Sequence, residues 1–196
     1  VKSLTRPGGN LTGISTGGYI SKELEWLLKL APQTKQIFVP HDPADSVSVQ
    51  SLAILSETAA RFKIDLSVHE VHNVTEVLTV ATTIAPMAEA ILLLPTTLVL
   101  EQIDVFIDLA IQRKLPLAAP TIAHVEAGAL VAYGSDYAAI GLQVSRLTDK
   151  ILHGVAPADL PVETAEFYLG INLQTAKAID LEIPNTLVQQ ANFIVR

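Results

Sequence analysis

The chain has 196 residues, enough for one large domain or for one domain with appendages. Its composition, 49% hydrophobic and 17% charged, excludes a disordered chain, and the absence of cysteine excludes disulfides, thiolate metal sites and cysteine nucleophiles. The formal net charge of −7 disfavours a nucleic-acid partner, because such proteins present a basic face. No apolar run in the sequence approaches the ~20 residues of a membrane-spanning helix.

Strand-like apolar runs alternate along the chain with segments of helical periodicity. The predicted strands are residues 11–15, 36–40, 64–71, 90–95, 115–120, 129–133 and 167–171, with an extended segment at 158–164. The predicted helices are 24–30, 46–62, 75–87, 98–114 and 137–153, with short pieces at 175–178 and 186–191. The alternation predicts an α/β fold: three α-β-α layers around a mainly parallel sheet, with right-handed crossovers.

Local signals refine four of these elements. Ser46 or Ser48 is the predicted N-cap of the helix at 46–62, and Asn73 or Thr75 that of the helix at 75–87. Gly154 is the predicted C′ residue of the helix at 137–153. The run AILLLP at 90–95 has no polar alternation, which predicts a strand covered on both faces.

Polar residues follow three of the predicted strands. The runs FVP, LLLP and LAAP lead into the loops HDPADS, TT and TIAHVE. Carboxyl ends of parallel strands meet at one edge of the sheet, which is where open α/β sheets bind ligands. Hydroxyl groups and helix N-termini there suit a carboxylate, and an acidic side chain suits an ammonium group, so the edge favours a zwitterion. The candidate ligand-binding residues are Asp45, Ser46, Ser48, Thr96, Thr97 and Glu126.

An alternative for these residues is ordinary helix capping, because Ser, Thr and Asp are common at helix starts in every α/β domain. A hydrolase triad of Ser46, His41 and Asp45 lacks the G-x-S-x-G motif around the serine. The five histidines form no HExxH or comparable ligand pattern. We therefore predict no catalytic residues, no metal site and no cofactor.

Ordered motifs along the whole chain resemble a group of bacterial ABC-transporter substrate-binding proteins that includes tryptophan- and other aromatic-amino-acid-binding members. The motifs are SLTRPGGNLTGIS at 3–15, HDPAD at 41–45, RKLP at 113–116, EAGAL at 126–130, YGSDY at 133–137, ILHGVAPADLPVE at 151–163 and INLQTAKAIDLEIPNTLVQQA at 171–191. His41-Asp42-Pro43 departs from the commoner Asn-Pro pattern of the group, and Pro95-Thr96-Thr97 stands at the second loop. Both leave the identity of the ligand open.

The resemblance implies a type I periplasmic-binding-protein fold, in which a hinge closes two α/β lobes on a small ligand. It implies that residues 1–196 form the second lobe and the closing segments, with a hinge at 1–13 and crossover segments at 129–163. It also implies that the protein works with ABC permease subunits and has no enzymatic activity. The implied location is periplasmic or extracellular, either free or attached to the membrane by a lipid anchor. The same module also serves as the extracytoplasmic sensor of kinases or cyclases, and that alternative stays open.

Two expectations concern the first lobe of such proteins. Because Val1 is not a methionine and no apolar signal segment follows it, we expect the chain to begin inside a longer polypeptide. In the resembling proteins the helix at 137–153 packs on the first lobe. Without that lobe, its apolar residues Leu142, Val144, Leu147, Ile151 and Leu152 lose their partner, and we expect a homodimer or a repositioned helix.

Overall fold

A computed structural model describes residues 3–84 and 87–196 of the chain. It divides into two compact units. Unit 1 comprises the described residues up to Tyr19 together with Ser135–Phe167, and unit 2 comprises Ile20–Gly134 and Tyr168–Arg196. The chain therefore passes between the units three times, after Tyr19, Gly134 and Phe167. No helix in the described residues is both long enough and apolar enough to cross a membrane.

Unit 2 is built around a seven-stranded sheet in the order β3-β2-β4-β5-β6-β8-β9. The strands are β2 (Gln36–His41), β3 (Asp65–Glu70), β4 (Ala90–Leu92), β5 (Leu117–Ala118), β6 (Val131–Ser135), β8 (Phe167–Asn172) and β9 (Phe193–Val195). Pairing is parallel from β3 through β6 and again between β8 and β9. The predicted α/β fold class with a mainly parallel sheet is confirmed.

Helices cover both faces of this sheet. They are α1 (Ile20–Leu30), α2 (Ser46–Phe62), α3 (Val74–Thr82), α4 (Thr97–Leu100), α5 (Ile103–Arg113), α6 (Ile122–Ala127), α8 (Leu173–Ala178) and α9 (Asn185–Val188). One apolar core contains residues of α1, α2 and α8, and a second contains residues of α3, α4 and α5. Strand β4 divides its side chains between them, since Leu92 belongs to the first core and Ile91 to the second. The run AILLLP is thus covered on both faces, as predicted.

Several predicted element bounds need correction. Residues 98–114 form two helices, α4 and α5, because Gln102 leaves helical geometry (φ −107°, ψ 21°). Helix α3 ends at Thr82, and the predicted continuation to residue 87 runs partly outside the described residues. Helix α6 was predicted as a loop, and β9 was not predicted at all. Asn73 is the N-cap of α3, as predicted. Gly154 lies just after the helix at 137–152 and has a positive φ of 94°, which agrees with its predicted role as the C′ residue.

Unit 1 consists of β1 (Ile14–Ser15), β7 (Glu163–Thr164), the helix α7 (Tyr137–Leu152) and a short 3₁₀ turn at Pro157–Asp159. Strands β1 and β7 pair in parallel, and the Thr12 hydroxyl donates to the Leu160 carbonyl at 3.0 Å. The apolar side chains buried in this unit are few, and Leu147 is the one that α7 contributes. The opposite side of α7 is exposed, with Leu142 and Leu152 at 70% and 81% of their accessible surface.

Candidate functional site

Three neighbouring strands of unit 2 end at the same edge of the sheet. Strands β2, β4 and β5 are adjacent and parallel, so their carboxyl ends point the same way. The segments after them begin at Asp42, Leu93 and Ala119, and each leads into a helix. This edge is the position at which an open parallel sheet presents groups to a ligand.

A buried imidazole–hydroxyl pair lies at the carboxyl end of the first strand, β2. His41, the last residue of β2, and Ser48, in the first turn of α2, are 6% and 0% exposed. The Nδ1 atom of His41 lies 3.0 Å from the Ser48 hydroxyl oxygen, which also accepts the backbone N–H of Asp42 at 3.2 Å. The predicted site residue Ser48 is therefore inside the lobe and joined to a histidine that ligand-site reasoning from sequence did not include.

Asp45 is the N-cap of α2, so the prediction of Ser46 or Ser48 as the cap is wrong. Its carboxylate accepts the backbone N–H groups of Val47 at 2.8 Å and Ser48 at 3.4 Å. A carboxylate accepts these N–H groups, and its negative charge also interacts favourably with the helix dipole. A neutral serine hydroxyl lacks that second contribution. Ser46 is exposed at the first helical position. Because His41 is hydrogen-bonded to Ser48 and Asp45 caps α2, the catalytic triad of Ser46, His41 and Asp45 that we considered from the sequence is not formed.

The second strand end carries a hydroxyl without a partner. Thr96 precedes α4 and is 2% exposed, and its Oγ1 is buried without a hydrogen-bond partner among the described residues. Leaving such a group unpaired costs ~1–3 kcal/mol, so a buried orphan hydroxyl needs a reason. Thr97, the next predicted site residue, is exposed at the start of α4.

The third strand end repeats the imidazole–hydroxyl arrangement. Thr121 precedes α6 and is 5% exposed, and its Oγ1 lies 3.0 Å from Nδ1 of His124. Burial lowers the pKa of His124 below its ordinary value, so its ring is neutral at pH 7. Glu126 lies near the end of α6 and is exposed, with no ion pair among the described residues.

A close backbone contact fixes the third loop against the next strand. A Cβ atom on Gly134 of β6 would lie 1.7 Å from the carbonyl oxygen of Pro120. Only glycine permits that approach, so the Pro120 carbonyl and the start of the Thr121 loop are held against β6.

The predicted residues thus fall into two groups. Ser48 and Thr96 are buried at the sheet edge and Asp45 caps α2 beside them, whereas Ser46, Thr97 and Glu126 are exposed. Sequence reasoning did not include His41, Thr121 and His124 among the ligand-binding residues. For Thr121 and His124 the signal was the spacing of three residues across the start of α6, whereas the pairing of His41 with Ser48 depends on how β2 meets α2. Among the described residues, no three His, Asp or Glu side chains group in a way that could hold a metal ion.

A doubly covered, mainly parallel sheet with buried polar groups at the carboxyl ends of its strands is the architecture of a ligand-binding α/β lobe. Residues 1–195 match the family model described as "ABC transporter substrate binding protein", and the chain belongs to this family. The resemblance of the sequence motifs to this family is therefore confirmed.

Three similar proteins illustrate the match. A tyrosine-binding protein of Clostridioides difficile is 28% identical over 93% of this chain and 53% of its own length. A conserved domain protein of Vibrio cholerae has 29% identity and a TM-score of 0.89, over 99% of this chain and 66% of that one. An ABC domain of Streptococcus pneumoniae in complex with L-Trp shares the fold at 22% identity, with a TM-score of 0.89 over 100% of this chain and 66% of that one. The chain spans about half the length of the curated relative.

Proposed function

We propose that this chain is the solute-binding component of an ABC-type uptake system and that its ligand is a small amino-acid-like molecule. Family membership and the named tyrosine-binding relative support a solute-binding role. The observation that carries the site is the buried Thr96 hydroxyl, which lacks a partner at the sheet edge where such ligands bind. A family of substrate-binding proteins also agrees with the expectation that the chain is not an enzyme.

The proposed ligand site is the edge formed by the ends of β2, β4 and β5, serving as one wall of a ligand cleft. In this proposal the buried residues Ser48 and Thr96 form its interior, and the exposed residues Ser46, Thr97 and Glu126 contribute from its solvent side. Asp45 keeps one carboxylate oxygen for a ligand ammonium group, since only Oδ1 accepts the helix N–H groups. Hydroxyl and carboxylate groups together suit the two charged ends of an amino acid.

The proposed domain organisation makes unit 2 one lobe of a hinged clamp. Residues 1–13 act as a hinge segment, and residues 129–163 contain the crossover segments and the helix α7. Three passages of the chain between the units support this organisation, as does the positive φ of Gly8 (69°) in the turn that opens the chain.

The proposed partners follow from the family. They are an ABC permease on the membrane and a second copy of this chain that covers the exposed apolar side of α7. The proposed location is periplasmic or extracellular, and the protein there is either free or attached to the membrane by a lipid anchor.

The test is calorimetric titration of the chain with L-tyrosine, L-tryptophan and the other amino acids, together with thermal unfolding. We expect at least one amino acid to bind and to raise Tm, because a ligand of the folded state stabilises it. The Thr96→Val variant should fold unchanged, since the hydroxyl has no protein partner to lose, and should bind more weakly. Thr186→Val, at an exposed position on α9, is the control and should bind normally. Unchanged affinity of Thr96→Val would remove Thr96 from the site, and no binding of any amino acid would overturn the proposed function.

A further inference from the structure

We propose that the Nε2–H groups of His41 and His124 are the donors with which this sheet edge holds an oxygen acceptor of the ligand, either a carboxylate or a phenolic oxygen. The inference rests on the proposed function and deepens it by assigning ligand contacts to two residues outside the predicted set. Strand order supports it, because His41 ends β2 and His124 follows β5, the two strands that flank β4, and Thr96 follows β4.

The hydrogen bonds of Ser48 fix the tautomer of His41. Its oxygen accepts the backbone N–H of Asp42 at 3.2 Å, and its one other partner in the described structure is Nδ1 of His41 at 3.0 Å. Ser48 is fully buried, so its hydroxyl proton must go to Nδ1 or remain unsatisfied. In the neutral ring the proton of the imidazole is then on Nε2, which becomes the donor of the ring.

A second imidazole–hydroxyl pair lies at the third strand end. The Thr121 hydroxyl has Nδ1 of His124 as its hydrogen-bond partner among the described residues, at 3.0 Å. In the tautomer that the proposal requires, the hydroxyl donates to Nδ1, which places the imidazole proton on Nε2. Burial keeps this ring neutral, in agreement with that tautomer.

Both Nε2 nitrogens are available. Nε2 of His41 and Nε2 of His124 make no hydrogen bond within the described residues, and neither is one of the buried polar atoms left without a partner there. The nearby carboxylates are hydrogen-bonded to backbone N–H groups and not to these rings: Asp42 accepts the N–H of Ala44 at 2.9 Å, and Asp45 accepts the N–H of Val47 at 2.8 Å. Two N–H donors at this sheet edge recognise an oxygen acceptor of the ligand.

The test is a two-dimensional NMR experiment on the five histidine side chains of the ¹⁵N-labelled chain, at millimolar amino acid so that weak binding is also detected. Before ligand is added, we expect the ¹⁵N shifts of His41 and His124 to show the Nε2–H tautomer. Titration with L-tyrosine or L-tryptophan should then move their Nε2–H resonances. His153, which lies in unit 1, and His69, whose Nε2 is 3.0 Å from the Ser67 hydroxyl, are internal controls that should not move.

Ligand analogues separate the two sources of the acceptor. If the carboxylate is held, tyramine, which lacks it, should fail to move the His41 and His124 resonances, while L-phenylalanine still moves them. If the phenolic oxygen is held, the two analogues should exchange roles. His41→Gln and His124→Gln should each weaken L-tyrosine binding about three- to tenfold, as expected for one hydrogen bond, whereas His69→Gln should not.

The outcomes distinguish the two proposals. Binding by calorimetry, with the resonances of His41 and His124 unmoved or their protons on Nδ1, would overturn this inference and leave the solute-binding function intact. An affinity unchanged in both histidine variants would also overturn it. Failure of every amino acid to bind would overturn the function and this inference together.

Discussion

At the scale of single residues, the most unusual side chain outside the proposed site is Glu23. It lies on the buried side of α1 with 0% exposure, and neither carboxylate oxygen has a hydrogen-bond partner among the described residues. Burial raises the pKa of Glu23 well above its ordinary value of 4.5, because the charged form loses its water. The folded protein therefore holds this carboxyl group in its neutral form over a range of pH in which the unfolded chain ionises it.

The Glu23→Leu variant should be more stable than the wild type, and its advantage should grow with pH. Below pH 4.5 both states of the wild type carry the proton. Above it the unfolded state ionises first, so the wild type loses stability as the pH rises toward the raised pKa of the folded state. Leucine does not titrate and packs with the same core, which removes a burial cost of ~1–3 kcal/mol.

Denaturant unfolding at pH 4, 6 and 8 measures this difference. Glu57→Leu, at an exposed position of α2, is the control and should show no such pH-dependent gain. A free-energy difference between Glu23→Leu and the wild type that stays constant from pH 4 to pH 8 would show that Glu23 ionises alike in both states.

At the scale of elements, β6 lies so close to the loop after β5 that a single added methyl group at Gly134 would disrupt the contact. The Gly134→Ala variant places Cβ 1.7 Å from the Pro120 carbonyl oxygen, a backbone atom that moves only if β5 or β6 moves. We expect it to lower the free energy of unfolding by about 3 kcal/mol or more, the upper range for overpacked cores. Because the Thr121 loop shifts as well, amino-acid binding should also weaken.

A second glycine provides the control of opposite sign. Gly141 lies in α7, and no heavy atom is within 4 Å of a Cβ added there. Gly141→Ala should raise the free energy of unfolding by ~0.5–1 kcal/mol, because alanine has the higher helix propensity. Thermal and denaturant unfolding measures the change in the free energy of unfolding for both variants. A Gly134→Ala protein as stable as Gly141→Ala would contradict the close contact.

Periodicity predicted the regular elements well and their junctions poorly. The apolar runs at 36–40 and 90–95 gave β2 and β4, because strands buried on both faces cannot alternate. The split between α4 and α5 depends on the backbone angles of Gln102, which no pattern of apolar residues records. Likewise the site residues Ser48 and Thr96 were predictable from their place after a strand, whereas the pairing of His41 with Ser48 depends on how β2 meets α2 in three dimensions.

At the scale of the whole molecule, the two units differ in how well they bury their apolar residues. Unit 2 has two continuous cores, one on each face of its sheet. Unit 1 buries Leu147, Leu160 and Ala165 but exposes Leu142, Val144, Ile151 and Leu152 on α7. An apolar helix surface of this kind is typical of a contact surface.

The exposed side of α7 should therefore associate two copies of this chain. Burying a leucine that is 70–81% exposed gains roughly 1.5–3 kcal/mol for full burial, so a few such residues from each copy suffice for a weak dimer. Sedimentation or light scattering from micromolar to millimolar concentration should show that dimer. Leu152→Lys should raise its dissociation constant at least about tenfold, equivalent to ~1.4 kcal/mol, while the helix content by circular dichroism stays the same. Val47→Lys, at a 51% exposed apolar position on α2, should leave association unchanged. A monomer at every concentration, with α7 intact, would refute the dimer and show that this side of the helix stays in water.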